Sequence, residues 1–251
     1  MNRKIALVKE PTPAFANAVS NHPESDSIDF GKALNQHRQY TYALTLVGLS
    51  VIFLDSVDDF PDSPFVEDPA IILENIAILC SMKDETRRGE VDLISSDLKF
   101  HIPVVSMLPP ATMDGGDVLQ TEDEIFVGLS TRTNFESIEV LQELTKKKVT
   151  PVPVLGGLHL KSAVTYLGKN ILILDKAKVD AKAFERFEIV EVLPKESYAA
   201  NSLVVGDYVI TPQGYPKLAA KIRQLGFQVI QIPMSEFEKA DGGPTCLSLI
   251  I

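Results

Sequence analysis

Among the 251 residues of this chain, two cysteines, four histidines and a scatter of acidic side chains are the groups able to carry covalent or acid-base chemistry. Cys246 lies five residues from the end, in DGGPTCLSLII, and His159 lies in GLHLKS. Glu67 and Asp68 fall in FVEDP, and Asp114 falls in MDGGD. A thiol, an imidazole and carboxylates are the parts of a nucleophilic site, in which a thiolate attacks and a base or acid stands within hydrogen-bond reach. Each part also has a purely structural reading. Free cysteine is among the most buried residue types and packs as a small hydrophobe. His159, between Leu158 and Leu160, also fits a core histidine, Glu67 and Asp68 a solvated turn, and Gly115-Gly116 a pair that shapes the chain after Asp114. Cys80, in the apolar run NIAILC, reads as structural.

The elements that must position these residues separate the readings. Four pairs of short apolar runs, VEDPAIILENIAILC, GGDVLQTEDEIFVGLS, HLKSAVTYLGKNILILD and AANSLVVGDYVITP, each predict a β-hairpin. They begin near Val66, Gly115, His159 and Ala199, and a fifth strand enters at Thr245, so the intervals are 49, 44, 40 and 46 residues. That spacing predicts an internal repeat. Amphipathic helices are expected at Phe30 to Val47, with Asp29 as cap and Gly48 as stop, at Asn134 to Leu144, and at Pro216 to Leu225. The last repeat, TCLSLII, lacks a second strand, and the unpaired IALV near the N-terminus can supply one and close the repeats into a ring without exposed edges. An ordinary α/β sheet fits the periodicity alone equally well. The residues at the hairpin entrances favour the ring: Glu67-Asp68, Asp114, His159, Asn201 and Cys246 occupy equivalent positions and would converge on its axis.

The carboxylates then select the electrophile. A thiol enzyme acting on an ester or amide develops an oxyanion and needs donors, so acidic residues beside Cys246 oppose it. A guanidinium is planar and cationic, and Asp68 with Asp114 can accept its N–H groups and hold its carbon for attack. The substrate's charge also offsets the rise that neighbouring carboxylates impose on the thiol pKa.

Composition sets the outer bounds. The chain is 45% hydrophobic, ample for a core, and carries 24 basic against 34 acidic residues, a net charge of −10. This excludes general binding to nucleic acid or anionic membranes and suits a cationic ligand. No apolar run of membrane-spanning length and no secretory signal are evident, so a cytoplasmic location is expected. No spacing of ligand residues points to a metal.

Seven ordered motifs carry a resemblance to a known family: PDSPFVEDP (61–69), TRRGE (86–90), MDGGDV (113–118), GLSTRTN (128–134), LHLKS (158–162), YAAN (198–201) and DGGPTCLSL (241–249). Together they resemble the dimethylarginine dimethylaminohydrolases over nearly the whole chain. The resemblance implies a single catalytic domain over 1–251 with the pentein fold, a five-bladed α/β propeller of ββαβ repeats whose N-terminal strand joins the C-terminal one. It implies hydrolysis of Nω-methylated arginine to citrulline and an alkylamine, in arginine metabolism, with neither metal nor organic cofactor. Cys246 would be the nucleophile, His159 the general acid/base, and Asp114 its catalytic companion and, with Asp68, a guanidinium ligand. Asp62, with backbone near Val19, would bind the α-amino group. Arg87 and Arg132 would bind the α-carboxylate and act through it alone, and Glu67 and Ala240 complete the substrate-binding set. Ser20 to Asp29 would form a lid. The partner implied is a small guanidino amino acid, with room for a homodimer and none for nucleic acid or membrane. Arginine deiminase, an amidinotransferase and a non-catalytic arginine-binding module are the alternatives. Deiminases usually carry an added helical domain and amidinotransferases are generally longer.

Overall fold

The structure, a computed structural model, describes residues 5–251. In chain order the elements are β1 (Ile5–Val8), α1 (Phe30–Leu46), β2 (Ser50–Phe53), β3 (Ala70–Leu73), β4 (Ile76–Leu79), α2 (Arg88–Leu98), β5 (Val104–Ser106), β6 (Val118–Gln120), β7 (Glu124–Leu129), α3 (Phe135–Leu144) and β8 (Lys148–Pro153). There follow β9 (Val164–Gly168), β10 (Ile171–Leu174), β11 (Glu188–Glu191), β12 (Leu203–Val205), β13 (Tyr208–Pro212), α4 (Pro216–Gln224), β14 (Gln228–Ile232), α5 (Ser235–Glu238) and β15 (Leu249–Ile250).

The strands form five three-stranded sheets of one design. A hairpin of antiparallel strands is followed by a crossover to a third strand parallel to the second, as in β3-β4-β5, where Ala70 pairs with Leu79 and Ala77 with Val104. Parallel neighbours need a crossover of a dozen or so residues. Helices α1 to α4 supply it in four sheets; between β10 and β11 a 3₁₀ turn at Ala181–Phe184 suffices. In the fifth sheet β15 takes the first place, pairing antiparallel with β1, which pairs in parallel with β2.

The segments entering the first strands are joined in a circle. The Gly115 N–H donates to Asp68 O at 2.9 Å, and His159 Nε2 meets Asp114 Oδ2 at 3.0 Å. Asn201 Nδ2 donates to Lys161 O at 3.0 Å, the Thr245 N–H donates to Asn201 Oδ1 at 3.1 Å, and the Glu67 N–H donates to Cys246 O at 3.2 Å. Every sheet is thereby tied to the next and the last to the first, so the fold is a five-bladed propeller. On the far side of this circle the axis opens into a cavity of about 700 Å³ lined by the first strands of four sheets.

The expected helices form for the expected reasons. In α1 the Asp29 carboxylate caps the start by accepting from the Lys32 N–H at 2.8 Å, and Gly48, at φ +88°, ends it. Its inner face buries Ala33, Tyr40 and Leu44, and burying a side chain of Leu size is worth about 1.5–3 kcal/mol. The helix α2 was not foreseen in KDETRRGE, where charge reads as a solvated loop. Its buried positions Glu90, Ile94 and Leu98 do follow helical spacing, but the first of them is a carboxylate that only an internal partner makes tolerable.

His37, on the same face of α1, has both ring nitrogens buried without a hydrogen-bond partner among the described residues. Burial lowers its pKa from 6.5 to about 4. The unfolded chain therefore takes up a proton below pH 6.5 that the folded one refuses until pH 4, and stability falls as pH falls through that window, by on the order of 3 kcal/mol. His37→Leu should remove this part of the acid sensitivity. The check is unfolding free energy by urea titration at pH 7 and pH 4.5; an unchanged pH dependence in the variant would contradict it.

Among the described residues no helix is long and apolar enough to cross a membrane, and no group of three or more His, Cys, Asp or Glu could hold a metal ion.

Candidate active site

At the closed end of the ring a small pocket collects eight of the ten predicted site residues: Cys246, His159, Asp62, Asp68, Arg87, Arg132, Val19 and Ala240. The other two stand behind it. Asp114 is fully buried against His159, and Glu67 pairs with Lys161 and accepts from Thr245 Oγ1 at 2.7 Å. The larger axial cavity holds neither the thiol nor the imidazole, so chemistry belongs to the small pocket.

Local geometry explains why each side chain stands where it does. Cys246 sits in a 3₁₀ turn, Pro244–Leu247, just ahead of β15, and the Gly243 N–H donates to its Sγ at 3.4 Å. His159 precedes a similar turn, Leu160–Ser162, ahead of β9. Its Nε2 meets Asp114 Oδ2 at 3.0 Å, and its Nδ1 lies 3.8 Å from Asp68 Oδ1. Gly116 does more than turn the chain: a Cβ there would lie 2.6 Å from His159 Nδ1 and 2.9 Å from Asp68 Oδ1, so only glycine lets these two groups close over it.

Arg87 is 4% exposed, not a solvated charge. Glu90 grips it at Nε and Nη2, at 3.0 and 2.7 Å, and its Nη1 donates to Asp68 Oδ2 at 2.7 Å. Arg87 is therefore tied to Asp68 as well as to Glu90, a contact that the expected role through a substrate carboxylate alone does not include. Arg132 is held more loosely, by Asp84 at 3.1 Å and Asp114 at 3.7 Å, and its Nη1 has no hydrogen-bond acceptor among the described residues. Two carboxylate oxygens are likewise buried without a donor, Asp68 Oδ1 and Asp114 Oδ1. Unmet buried polar atoms are costly and tend to mark places where a ligand completes the network.

The mouth is covered by the chain after Ala18. The Val19 N–H donates to Asp62 Oδ2 at 3.2 Å, while Ser20 Oγ and the Asn21 N–H donate to Asp241 Oδ2 at 2.8 and 3.0 Å. Asp241 went unforeseen, although it opens the motif that ends in the cysteine; its backbone, at φ +57°, gave no signal in an aspartate. The free space left is about 10 Å³, room for one water.

The electrostatics set both protons in the resting site. Burial pushes the Cys246 thiol up to about 12, with Glu67 and Asp68 adding to the rise. Burial opposes a charge on His159, but Asp68, the bond to Asp114 and the charge of Asp117 outweigh it and hold the imidazole up to about 9. At neutral pH the pair is therefore thiol and imidazolium. Asp62 and Glu90 are both raised, in each case by burial against the pull of Arg87. Iodoacetamide should accordingly alkylate Cys246 slowly at pH 7, with a rate still climbing about tenfold per pH unit beyond the ordinary thiol pKa of about 8.5. A small amidinium electrophile such as 2-chloroacetamidine should react much faster at pH 7, since its charge offsets the carboxylates. Peptide mass mapping separates Cys246 from Cys80, and a plateau near pH 8.5 with iodoacetamide would rule out the raised thiol.

Comparisons with known proteins identify one family. A family model described as N,N-dimethylarginine dimethylhydrolase, eukaryotic, matches residues 5–248. The chain is 37% identical over 226 residues to the N(G),N(G)-dimethylarginine dimethylaminohydrolase of Pseudomonas aeruginosa, covering 88% of this chain and 89% of that one. It is 36% identical over 254 residues to the protein of the same name from Streptomyces coelicolor, covering 99% and 97%. The solved structure of the Pseudomonas protein as a cysteine-to-serine variant complexed with citrulline superposes with a TM-score of 0.95 over 100% of both chains, at 32% identity.

Proposed function

The chain belongs to the dimethylarginine dimethylaminohydrolase family, and we propose that it hydrolyses Nω-methylated arginine to citrulline and methylamine or dimethylamine. The observation that carries this reading is the pair of buried, donorless carboxylate oxygens, Asp68 Oδ1 and Asp114 Oδ1, on either side of an imidazolium in a site that also holds a thiol. Asp68 Oδ1, on the pocket wall, is an acceptor for N–H groups, as a guanidinium supplies and an ester or amide carbonyl does not, and Asp114 adds its negative charge from behind the imidazole. Arg132 Nη1, 3.7 Å from Asp114 Oδ2 but without a hydrogen-bond acceptor among the described residues, offers a donor for the α-carboxylate at the other end, and Asp62, once released by Val19, accepts the α-ammonium. The citrulline bound to the related Pseudomonas protein supports the same product here.

The steps follow from the protonation states. Binding of the cationic guanidinium between the carboxylates lowers the cost of ionising Cys246, whose proton leaves to solvent. The thiolate adds to the guanidinium carbon. His159, already an imidazolium, protonates the departing amine as the C–N bond breaks, leaving an S-alkylthiouronium on Cys246 and a neutral imidazole. Water takes the place of the amine and gives a proton to His159 as it attacks; collapse then expels the thiolate, and the remaining hydroxyl proton passes to solvent as the neutral ureido group forms. His159 supplies the proton transfers at the leaving amine and the attacking water, in one catalytic domain, while the thiol proton goes to solvent. A cytoplasmic place in arginine metabolism belongs to the same reading, consistent with the acidic composition.

The test is a substrate panel of arginine, monomethylarginine, asymmetric dimethylarginine and a guanidine without a carboxylate, followed by ureido product and released amine. Turnover of the methylated arginines well above arginine is expected, and preference for arginine would instead make the chain a deiminase. The two arginines should behave differently in this panel. Arg132→Ala should raise KM for methylarginine by about 2–5 kcal/mol while sparing the guanidine that lacks a carboxylate. Arg87→Ala should impair both, because Asp68 loses its partner. Equal behaviour of the two variants would contradict the division of labour.

A further inference from the structure

Behind the pocket lies a carboxylate that no step above uses. Asp117 is fully buried, and both its oxygens are occupied by groups from other parts of the ring. Its Oδ1 accepts from the Leu160 N–H at 2.9 Å, directly after His159 in the chain. Its Oδ2 accepts from Ser130 Oγ and from Thr133 Oγ1, both at 2.6 Å. Those hydroxyls pass the constraint on: Ser130 Oγ accepts from the Arg132 N–H at 3.0 Å, and Thr133 Oγ1 lies 3.4 Å from the Asp114 N–H as its acceptor. Gly128 makes the approach possible, since a Cβ there would stand 2.5 Å from Asp117 Oδ1 and 2.8 Å from Leu160 Cβ.

We propose that Asp117 is the positioning residue of the reaction, one buried carboxylate that fixes the general acid/base His159, its companion Asp114 and the substrate-binding Arg132 in a common frame. The three belong to segments at 114, 132 and 159 that share no local backbone structure, and the Asp117 carboxylate reaches each segment: through the Leu160 N–H next to His159, and through the hydroxyls of Ser130 and Thr133 to the backbone N–H groups of Arg132 and Asp114. Two of the three hydroxyl-bearing residues of GLSTRTN are thus explained: Ser130 ties the Arg132 backbone to the carboxylate and Thr133 ties the Asp114 backbone to it. Charge contributes alongside geometry. Asp117 joins Asp68 and Asp114 around the imidazole, and each favours its protonated form. Substitution by asparagine keeps the shape, removes the charge, and turns one of the two acceptor atoms into a donor facing two hydroxyls that must then reorient.

This inference rests on the proposed reaction only for the roles of the three residues, so its test includes a measurement that needs no substrate. In Asp117→Asn the His159 imidazole, followed by ¹⁵N NMR, should titrate about one pH unit lower than in the parent protein. Its kcat/KM for methylarginine should fall roughly 100-fold, the scale of a displacement of about 1 Å in reacting groups. Ser130→Ala and Thr133→Val divide the frame and guard against a misfolded Asp117 variant. Ser130→Ala should raise KM for methylarginine more than it lowers kcat, whereas Thr133→Val should lower kcat. An Asp117→Asn protein with a lowered Tm but an unmoved His159 titration and kcat/KM within about twofold of the parent would overturn the proposal, as would unaltered kinetics in both hydroxyl variants. If the imidazole shifts while the parent turns over no methylated arginine, the frame stands and the substrate assignment falls.

Discussion

Replacing Cys246 by serine is expected to leave a folded protein that binds methylarginine and turns it over at least about 10⁴-fold more slowly. The site explains the size of the loss. It already pushes a thiol up to about 12, through burial and the charges of Glu67 and Asp68, and the same surroundings act on a hydroxyl that ionises far less readily. The fold has little reason to respond, because the Gly243 N–H that meets Sγ at 3.4 Å can donate to a hydroxyl as well. Binding by titration calorimetry and citrulline formation measured on the same sample separate the two effects. More than a few per cent of parental turnover would sink the nucleophile assignment. Cys80 is the control. It is 3% exposed among Met82, Met107 and Met113 and lies outside the pocket, so Cys80→Ala should cost about 1 kcal/mol of stability and keep most activity.

His159→Ala should lose about 10²–10⁴-fold in kcat, since one imidazole gives a proton to the amine and then takes one from water. The two roles can be told apart by choice of leaving group. With methylarginine the variant stalls before the C–N bond breaks and no adduct accumulates. With an S-alkylthiocitrulline, whose leaving thiolate needs no proton, Cys246 should still be modified and then persist, visible as a mass increase of the intact protein. Rapid release of citrulline from that adduct would require another base. The substitution also carries a stability signature. His159 has a folded pKa of about 9 against an ordinary 6.5, so its charged interactions stabilise the fold fully below pH 6.5 and fade as pH rises to 9. The difference in unfolding free energy between parent and variant should therefore narrow across that window, from on the order of 3 kcal/mol.

Much of the architecture was legible because repetition leaves a trace in one dimension. Hairpins at intervals of 40 to 49 residues, each entered by a polar or reactive residue, were enough to expect a ring and to place Asp68, Asp114, His159, Asn201 and Cys246 at its centre. The helices α1 and α3, each with a side-chain cap, and α4, which starts on Pro216 and stops before Gly226, followed from local chemistry. What failed was reading charge by itself. TRRGE carries no local sign of burial, yet Arg87 and Glu90 are both buried, because each is the other's solvent and Asp68 completes the pair.

The sequence by itself therefore determined the repeat, the reactive residues and the kind of electrophile they suit, since those depend on side-chain type and on spacing along the chain. Only the tertiary structure decided which partners each charge has. It joined Arg87 to Asp68, left one oxygen of Asp68 and of Asp114 unmet, latched residues 19–21 onto Asp62 and Asp241, and set Asp117 between the segments that carry Asp114, Arg132 and His159. Hydrogen bonds and Coulomb interactions in a buried site depend on distances of a few ångströms between residues 20 to more than 200 positions apart in the chain, and no local pattern encodes those distances.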